Sequence, residues 1–536
     1  MLPLLLGCAR IADACTVAPV KMKQHLRARE SLFLSSLAAS TLLVGCGRLP
    51  ELGNRTPSTA FHDTAGTRVG QAIARRFEMP SGKSGVLALA NGLDAFAARA
   101  LLIEAADRSI DVQYYIWQDD LSGILLFEAL QRAADRGVRV RLLLDDNPTF
   151  GMDARLAALD AHPNIEVRLF NPFKFRFWRV FEYVADFRRI NRRMHNKSFT
   201  VDNQVTVIGG RNIGDEYFAA ADEGTMFDLD ALAIGDVVHQ VSDDFDRYWA
   251  SDSSYPASLL VPKPTAAAVA ALRATSVRRE GGRAAAAYRR ALAERPQVRF
   301  LMRGELPLDW ATTHLVSDDP AKALGRKTSK SPWTQIQNML DPQKELGLVS
   351  PYVVPHVEGA NFLLDRSSQG IQVSILTNSL EATDVAVVHA GYAKWRKRLI
   401  QGGVRLFELK RVSSSPQTSG AGPLGSSASS LHAKTFTADR SRVFIGSFNF
   451  DPRSARLNTE NGFIIESPAM AQTISDAFSS QIPERSYEVK LSATGDLEWI
   501  ERRGGEKVVH TEEPGVSKWR TVAVSVLSVL PIDWLL

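Results

Sequence analysis

The sequence predicts an α/β protein of two pseudo-symmetric domains, each a mostly parallel sheet flanked by helices. Three observations carry that expectation. Strand–helix–strand runs occur in both halves of the chain, an order that calls for parallel pairing beneath covering helices. The same polar motif follows each run. And 536 residues with 45% hydrophobic and 23% charged side chains make a globular chain with apolar mass for more than one core.

In the first half, residues 110–116 alternate and are β-branched, the pattern of a strand. A helical stretch over 121–136 follows, then a strand over 138–144. The second half repeats the order, with a strand at 371–376, a helix over 385–401 and a strand at 404–407. The two domains are placed at 86–255 and 346–485. Between them, 256–345 reads as an Ala/Arg-rich helical connector to which no chemistry is assigned. Residues 413–430 are of low complexity and read as a loop delivering the second motif. Within 486–536, the apolar run from Trp519 is short for a membrane span and contains Pro531 and Asp533. It is expected to lie on a membrane surface, with packing against the domain as the alternative.

The N-terminal 46 residues read as a targeting segment. Lys21, Lys23, Arg27 and Arg29 precede a modest apolar run that ends Leu43-Val44-Gly45-Cys46, which resembles the bacterial lipobox. A start at Met22 would make a tidier signal. The expectation is a peripheral protein of the bacterial cell membrane, lipid-anchored at Cys46 on the periplasmic side, with 47–85 as a polar tether. The three cysteines, Cys8, Cys15 and Cys46, all lie there, so the body of the protein has no disulfide, thiolate metal site or cysteine nucleophile. A mean hydropathy of -0.11 excludes a polytopic membrane protein. A net charge of +5 suits any anionic partner and does not choose between nucleic acid and lipid.

The repeated motif is Met194-His195-Asn196-Lys197-Ser198-Phe199-Thr200-Val201-Asp202, matched by Leu431-His432-Ala433-Lys434-Thr435-Phe436-Thr437-Ala438-Asp439. Each copy leads into a Gly-rich turn, Gly209-Gly210-Arg211-Asn212 and Gly446-Ser447-Phe448-Asn449. His and Lys two apart on a strand share a face. Two copies related by a pseudo-twofold would bring two imidazoles and two ammonium groups to one cleft. That set suits a phosphodiester. One imidazole attacks phosphorus while the other protonates the leaving alkoxide. Lys197, Lys434, Asn212, Asn449 and Ser447 would hold the nonbridging oxygens as charge builds.

A doubled H-x-K-x4-D with its Gly–Asn extension resembles the phospholipase D superfamily. The resemblance implies a phosphohistidine intermediate, two half-sites in one chain, and no metal or other cofactor. Within the superfamily, Asp111 to Asp120, Arg141 to Asn147, Asn191 to Lys197, Leu376 to Leu380 and His389 to Tyr392 look like bacterial cardiolipin synthases of the C type. That likeness implies phosphatidyl transfer to phosphatidylglycerol, with phosphatidylethanolamine or a second phosphatidylglycerol as donor, and no nucleic-acid partner. The family usually uses the N-terminal histidine as nucleophile, which assigns attack to His195 and general acid–base work to His432. Asp202 and Asp439 count among the motif's catalytic set, yet are expected to pair with backbone or basic groups away from the phosphate. Asp230 and Glu460 match the family's acidic residue after each motif and are expected to orient the histidines. Asp215, Glu216 and Asp228 read as turn or surface carboxylates. A hydrolytic phospholipase D or a nuclease would use the same residues.

The run 170–193 interleaves Phe173, Phe175, Phe177, Trp178, Phe181 and Tyr183 with arginines and lysine. It suits a surface of anionic lipid headgroups or single-stranded nucleic acid. The alternative is core aromatics with solvated arginines. Its place just before His195 puts it at the mouth of the cleft.

Overall fold

The computed structural model describes residues 48–524, apart from 54, 221–224, 296–304, 329–330, 384, 412–429, 518 and 523. The expected lipobox with Cys46, most of the low-complexity loop and the chain from 525 onward lie outside the described residues.

Two large sheets face each other. The first draws on β1 (Ser84–Leu89), β2 (Ser109–Tyr114), β3 (Arg139–Asp145), β4 (Ile165–Phe170), β5 (Ser198–Val201), β6 (Val205–Gly209), β8 (Asp230–Gly235), β9 (Ser254–Pro256) and β10 (Asp309–Ala311), with the short β7 (Met226–Phe227) apart from it. Its order is β10-β1-β8-β6-β5-β2-β3-β4-β9. The second comprises β11 (Thr313–Ser317), β12 (Glu345–Val349), β13 (Gln372–Asn378), β14 (Arg405–Leu409), β16 (Thr435–Ala438), β17 (Arg442–Gly446), β18 (Asn461–Ile465), β19 (Ser486–Leu491), β20 (Leu497–Arg503) and β21 (Glu506–His510). It runs β11-β18-β17-β16-β12-β13-β14-β19-β20-β21, and the remaining strand, β15 (Ser430–Leu431), pairs with β7 from the other half.

Within the sheets, the expected parallel pairing is confined to β2-β3-β4 and β12-β13-β14, the strands joined by crossover helices. The motif strands pair antiparallel, β5 with β6 and β16 with β17. The reason is the link between them. Asp202 and Asn203 have φ of 51° each, and Asp439 and Arg440 have φ of 52° and 54°. Two successive left-handed residues make a type I′ hairpin turn, too short for any crossover. Asp and Asn tolerate that conformation better than most residues.

The helices Gly92–Ala105 and Leu121–Asp135 start at Asn91 and Asp120, whose side chains accept from backbone amides of the first turn. They cover the first sheet over a core that includes Val112, Tyr114, Leu142 and Val167. Between the two sheets lies a third apolar cluster. It joins Val86, Ile208, Ala231 and Ala233 of the first half to Val443, Ile445, Phe463 and Ile465 of the second. The halves therefore share a core, and their relative placement is fixed by packing.

Three sequence expectations about organisation need correction. The supposed tether is part of the first domain: Thr56 and Ser58 carbonyls accept from the buried Arg168 and Arg141, Ala60 N donates to Asp246, and residues 68–76 form a helix. Polar residues dock here because buried guanidinium groups need acceptors. The helical connector contains two strands besides its helices. β10 pairs with β1 and β11 with β18, so the chain crosses from one sheet to the other near Thr312. Finally, 486–510 is not membrane-surface chain but the three-stranded edge of the second sheet. Only beyond it does an apolar segment begin, with Trp519 exposed and Val524 buried against Leu380, Ala386 and Ala390. Among the described residues no helix is long and apolar enough to cross a membrane.

Deleting residues 48–62 is expected to lower the melting temperature in thermal unfolding, because each buried donor stripped of its acceptor costs about 1–3 kcal/mol. A freely hanging tether would leave it unchanged.

Candidate active site

His195 and Lys197 lie in extended chain just ahead of β5, and His432 and Lys434 just ahead of β16. These segments are held by the opposite half. The His195 amide donates to Thr459 O at 2.8 Å, and Thr459 N donates back to Arg193 O at 2.9 Å. In the other half, the His432 amide donates to Phe227 O at 2.7 Å, where β15 meets β7. Each histidine is thus bonded to the residue that precedes a carboxylate of the other half.

Those carboxylates reach the rings. His195 Nδ1 lies 2.8 Å from Glu460 Oε2, and His432 Nδ1 lies 2.5 Å from Asp228 Oδ2. With Nδ1 engaged by an acceptor, the neutral tautomer carries its proton there and leaves Nε2 with a free lone pair. Tyr115 stands edge-on to His195 at 5.0 Å and Tyr217 edge-on to His432 at 5.1 Å. Lys197 Nζ and Lys434 Nζ each donate to the carbonyl of their own histidine.

Burial and the neighbouring Lys197 push His195 down to about 4 against the pull of Glu460; burial and Lys434 do the same to His432 against Asp228. Each imidazole also feels the lysine of the other copy. Lys197 itself lies well below the usual ammonium range because it is buried, with Lys434 adding repulsion. The two carboxylates move down, Asp228 to about 2, because the attraction of the facing imidazole and of the lysines outweighs burial. Both histidines are therefore neutral at pH 7.

Asp230 does not reach a histidine. It is fully buried in an ion pair with Arg99 at 2.8 Å and accepts from Arg211 N. Register explains the displacement. Gly209, which ends β6, pairs with Asp230, while Gly446, which ends β17, pairs with Gly462. Asp230 is thus the counterpart of Gly462, and Asp228 that of Glu460. Asp228, expected to be a turn or surface carboxylate, is the buried partner of His432. The sequence signal that could have found it is the apolar run that follows: Asp228 stands three residues before Ala231, as Glu460 stands three before Phe463.

Asp202 and Asp439 lie at the far ends of their strands. Asp202 accepts from the amides of Asp107, Arg108 and Ser109, and Asp439 from those of Gln343, Lys344 and Glu345. Each ties the hairpin turn to the neighbouring strand, and neither touches the imidazoles. Of the three expected phosphate ligands, Asn212 uses both ends of its amide, accepting from Ile116 N and donating to Tyr217 Oη. Ser447 Oγ donates to Glu460 Oε2 at 2.5 Å. Asn449 alone keeps a buried amide oxygen without a partner.

Sequence reasoning also missed the supports of Glu460. Ser454 Oγ donates to Oε1 at 2.7 Å, and Glu460 N donates to Asp318 Oδ2 at 3.0 Å. Asp318, in the connector given no chemistry, is paired with Lys322 at 2.8 Å, and burial pushes it up to about 7. Nothing in its local sequence marks it. Among the described residues no group of three or more His, Cys, Asp or Glu side chains is placed to hold a metal ion.

A family profile described as "Cardiolipin synthase, PLD-like domain" matches residues 100–249 and 336–482, the two segments that carry this constellation. The chain belongs to that family. Cardiolipin synthase C of Escherichia coli is 48% identical over 472 residues, covering 88% of this chain and 100% of its own length. An uncharacterized protein of Helicobacter pylori is 33% identical over 439 residues, covering 80% of this chain and 86% of its own. Among solved structures, phosphatidylserine synthase of Haemophilus influenzae superposes with a TM-score of 0.52 at 15% identity, covering 79% of this chain and 92% of its own, which shows a shared fold.

Asp228→Asn is expected to lower kcat by about a thousand- to ten-thousand-fold with folding intact, since it forces the wrong tautomer on His432. Asp230→Asn should instead cost about 3–5 kcal/mol of stability by leaving Arg99 unpaired. Comparing activity per folded molecule with chemical denaturation separates the two. A Cβ at position 210 would collide with Asp228 Oδ1, so Gly210→Ala should mimic Asp228→Asn in kcat. In histidine-selective NMR, the resonances lost in His195→Ala and His432→Ala should stay neutral from pH 8 to pH 5 and titrate near pH 4. Bound inorganic phosphate should raise both, because an anion favours the imidazolium.

Proposed function

We propose that this protein is a cardiolipin synthase that transfers a phosphatidyl group through a phosphohistidine at a site complete within one chain. The observation that carries the mechanism is the pair of imidazoles whose Nδ1 atoms are each held by a carboxylate of the opposite half. His195 Nε2 attacks the phosphorus of a phospholipid. The bond to the headgroup oxygen breaks, and that oxygen takes the proton from His432 Nε2. A glycerol hydroxyl of phosphatidylglycerol then gives its proton to His432 and attacks phosphorus, the P–N bond breaks, and cardiolipin forms with His195 restored.

The assignment of the two roles has support in the carboxylates. Glu460 accepts from Ser447 and Ser454, which spreads its charge and weakens its hold on a proton-rich His195. Asp228 accepts one local backbone bond, from Leu229 N, and makes the shorter contact to its ring. His432 is accordingly the better holder of the proton once an anionic phosphodiester has entered. Lys197, Lys434 and the Asn449 amide, turned to offer its NH2 end, bind the nonbridging oxygens. Asp202, Asp439, Asn212 and Ser447 hold the frame.

Cys46, if lipidated as the lipobox resemblance implies, would stand nine residues before Arg55, whose guanidinium binds the Ser254 and Ala250 carbonyls. At about 3.5 Å per extended residue, the catalytic body would stay within about 30 Å of the anchoring leaflet, on the periplasmic side. Membrane association fits phospholipid substrates, with phosphatidylethanolamine or phosphatidylglycerol as donor.

Lipid mass spectrometry of membranes carrying the protein tests the reading. Phosphatidylglycerol should yield cardiolipin, and phosphatidylethanolamine should boost it with release of free ethanolamine. Phosphatidic acid without cardiolipin would mean that water takes the phosphohistidine, and cut DNA with unchanged lipid would mean a nuclease. With a phosphatidyl p-nitrophenol substrate, whose leaving group needs no acid, His432→Ala should give a single-turnover burst and His195→Ala none. The opposite pattern would exchange their roles.

A further inference from the structure

The segment before His195 is built inside out. In the helix Arg179–Ala185, the buried residues are Arg179 and Glu182. Its exposed residues include Val180 at 77%, Phe181 at 59% and Val184 at 85%, and just ahead of it Phe177 is 81% and Trp178 60% exposed. Phe150, 70% exposed, lies beneath the Arg179 guanidinium at 5.6 Å. A helix folded for water on its outer side carries the reverse pattern. Over 177–184 the alternative of core aromatics with solvated arginines is thus turned around, whereas Phe173 is buried and Arg188 exposed as that alternative expects.

The segment is also rigidly seated. Arg179 donates to the Asp146 and Asn147 carbonyls at 2.6 and 3.1 Å. Glu182 accepts from Phe175 N at 2.6 Å and from Arg189 at 2.7 Å. Exposed apolar side chains on a charge-pinned base form a contiguous patch of the kind that marks a docking surface. The patch borders the site. Tyr183 Oη bonds to Asn147 Oδ1 at 2.5 Å, Asn147 also meets the Tyr115 hydroxyl, and Tyr115 abuts the His195 ring.

We propose that Phe177, Trp178, Phe181 and Val184, with Phe150, enter the acyl region of an anionic bilayer and set the mouth of the His195 cleft against the membrane, so that a phospholipid reaches the nucleophile without crossing water. The occupant is lipid because the patch borders the cleft that takes phospholipid on the proposed reading, and Arg188, exposed just after it in the chain, suits an anionic headgroup layer, while Lys174 is already paired with Asp186 at 2.9 Å. The inference rests on the phosphatidyl-transfer reading and deepens it.

The test uses the full chain reconstituted into vesicles of phosphatidylglycerol and phosphatidylethanolamine with brominated acyl chains. Of the nine tryptophans, Trp178 should contribute to the bromine-quenched fluorescence, so Trp178→Phe should lower the quenched fraction; equal quenching in both would overturn the proposal. The variant Phe177→Ser/Phe181→Ser/Val184→Ser should lose transfer on vesicle lipids by about tenfold or more while keeping wild-type turnover of monomeric dihexanoyl phosphatidylglycerol. Equal loss on both substrates, or a change in oligomeric state that accompanies the loss, would assign the patch to folding or to a second protein and overturn it. If the wild type transfers neither lipid, the functional reading fails, whereas the quenching still decides where the patch sits.

Discussion

The arrangement depends on an exchange between the two halves. Each histidine takes a backbone partner and a carboxylate from the opposite domain: Thr459 and Glu460 for His195, Phe227 and Asp228 for His432. Neither half could orient its own imidazole. The apolar cluster between the sheets is what makes this possible, since it fixes two rigid bodies closely enough for hydrogen bonds of 2.5–2.8 Å to form across them. A buried imidazole beside ammonium groups is poorly charged, and a buried carboxylate is costly unless paired. Bringing the two together answers both constraints.

The halves are not copies in detail. Asp228 is one methylene shorter than Glu460 and lies against Gly210, where a side chain has no room. Glu460 faces Ser447 at the corresponding place and receives its hydroxyl, with a second from Ser454. A symmetric frame therefore carries two chemically different histidine–carboxylate pairs, which suits a reaction in which one imidazole must bond to phosphorus and the other must carry a proton.

The motif aspartates show how a residue can belong to a sequence signature without belonging to the chemistry. Asp202 and Asp439 stand seven residues after their histidines because that is where each strand turns back. They accept amides from the neighbouring strand and occupy a left-handed turn position. Spacing alone reports both kinds of constraint in the same way. The inverted helix before His195 has a similar lesson, since its composition was equally compatible with a core and with a surface until burial assigned Arg179 to the inside.

Legible in the sequence were the doubled motif, the two α/β halves, the two histidines with their lysines, and Glu460. These are local matters: alternation makes strands, a fixed spacing aligns side chains, and a repeat implies a pseudo-twofold. The tertiary structure decided what depends on register and on contacts between distant segments. It moved the second orienting carboxylate from Asp230 to Asp228, because hairpin pairing sets which residue stands opposite the end of β6. It turned Ser447 from phosphate toward Glu460, and it placed Asp318, 142 residues from Glu460 in the chain, beneath that residue's amide. A hydrogen bond between residues so far apart leaves no periodicity behind, and only the folded chain brings them together.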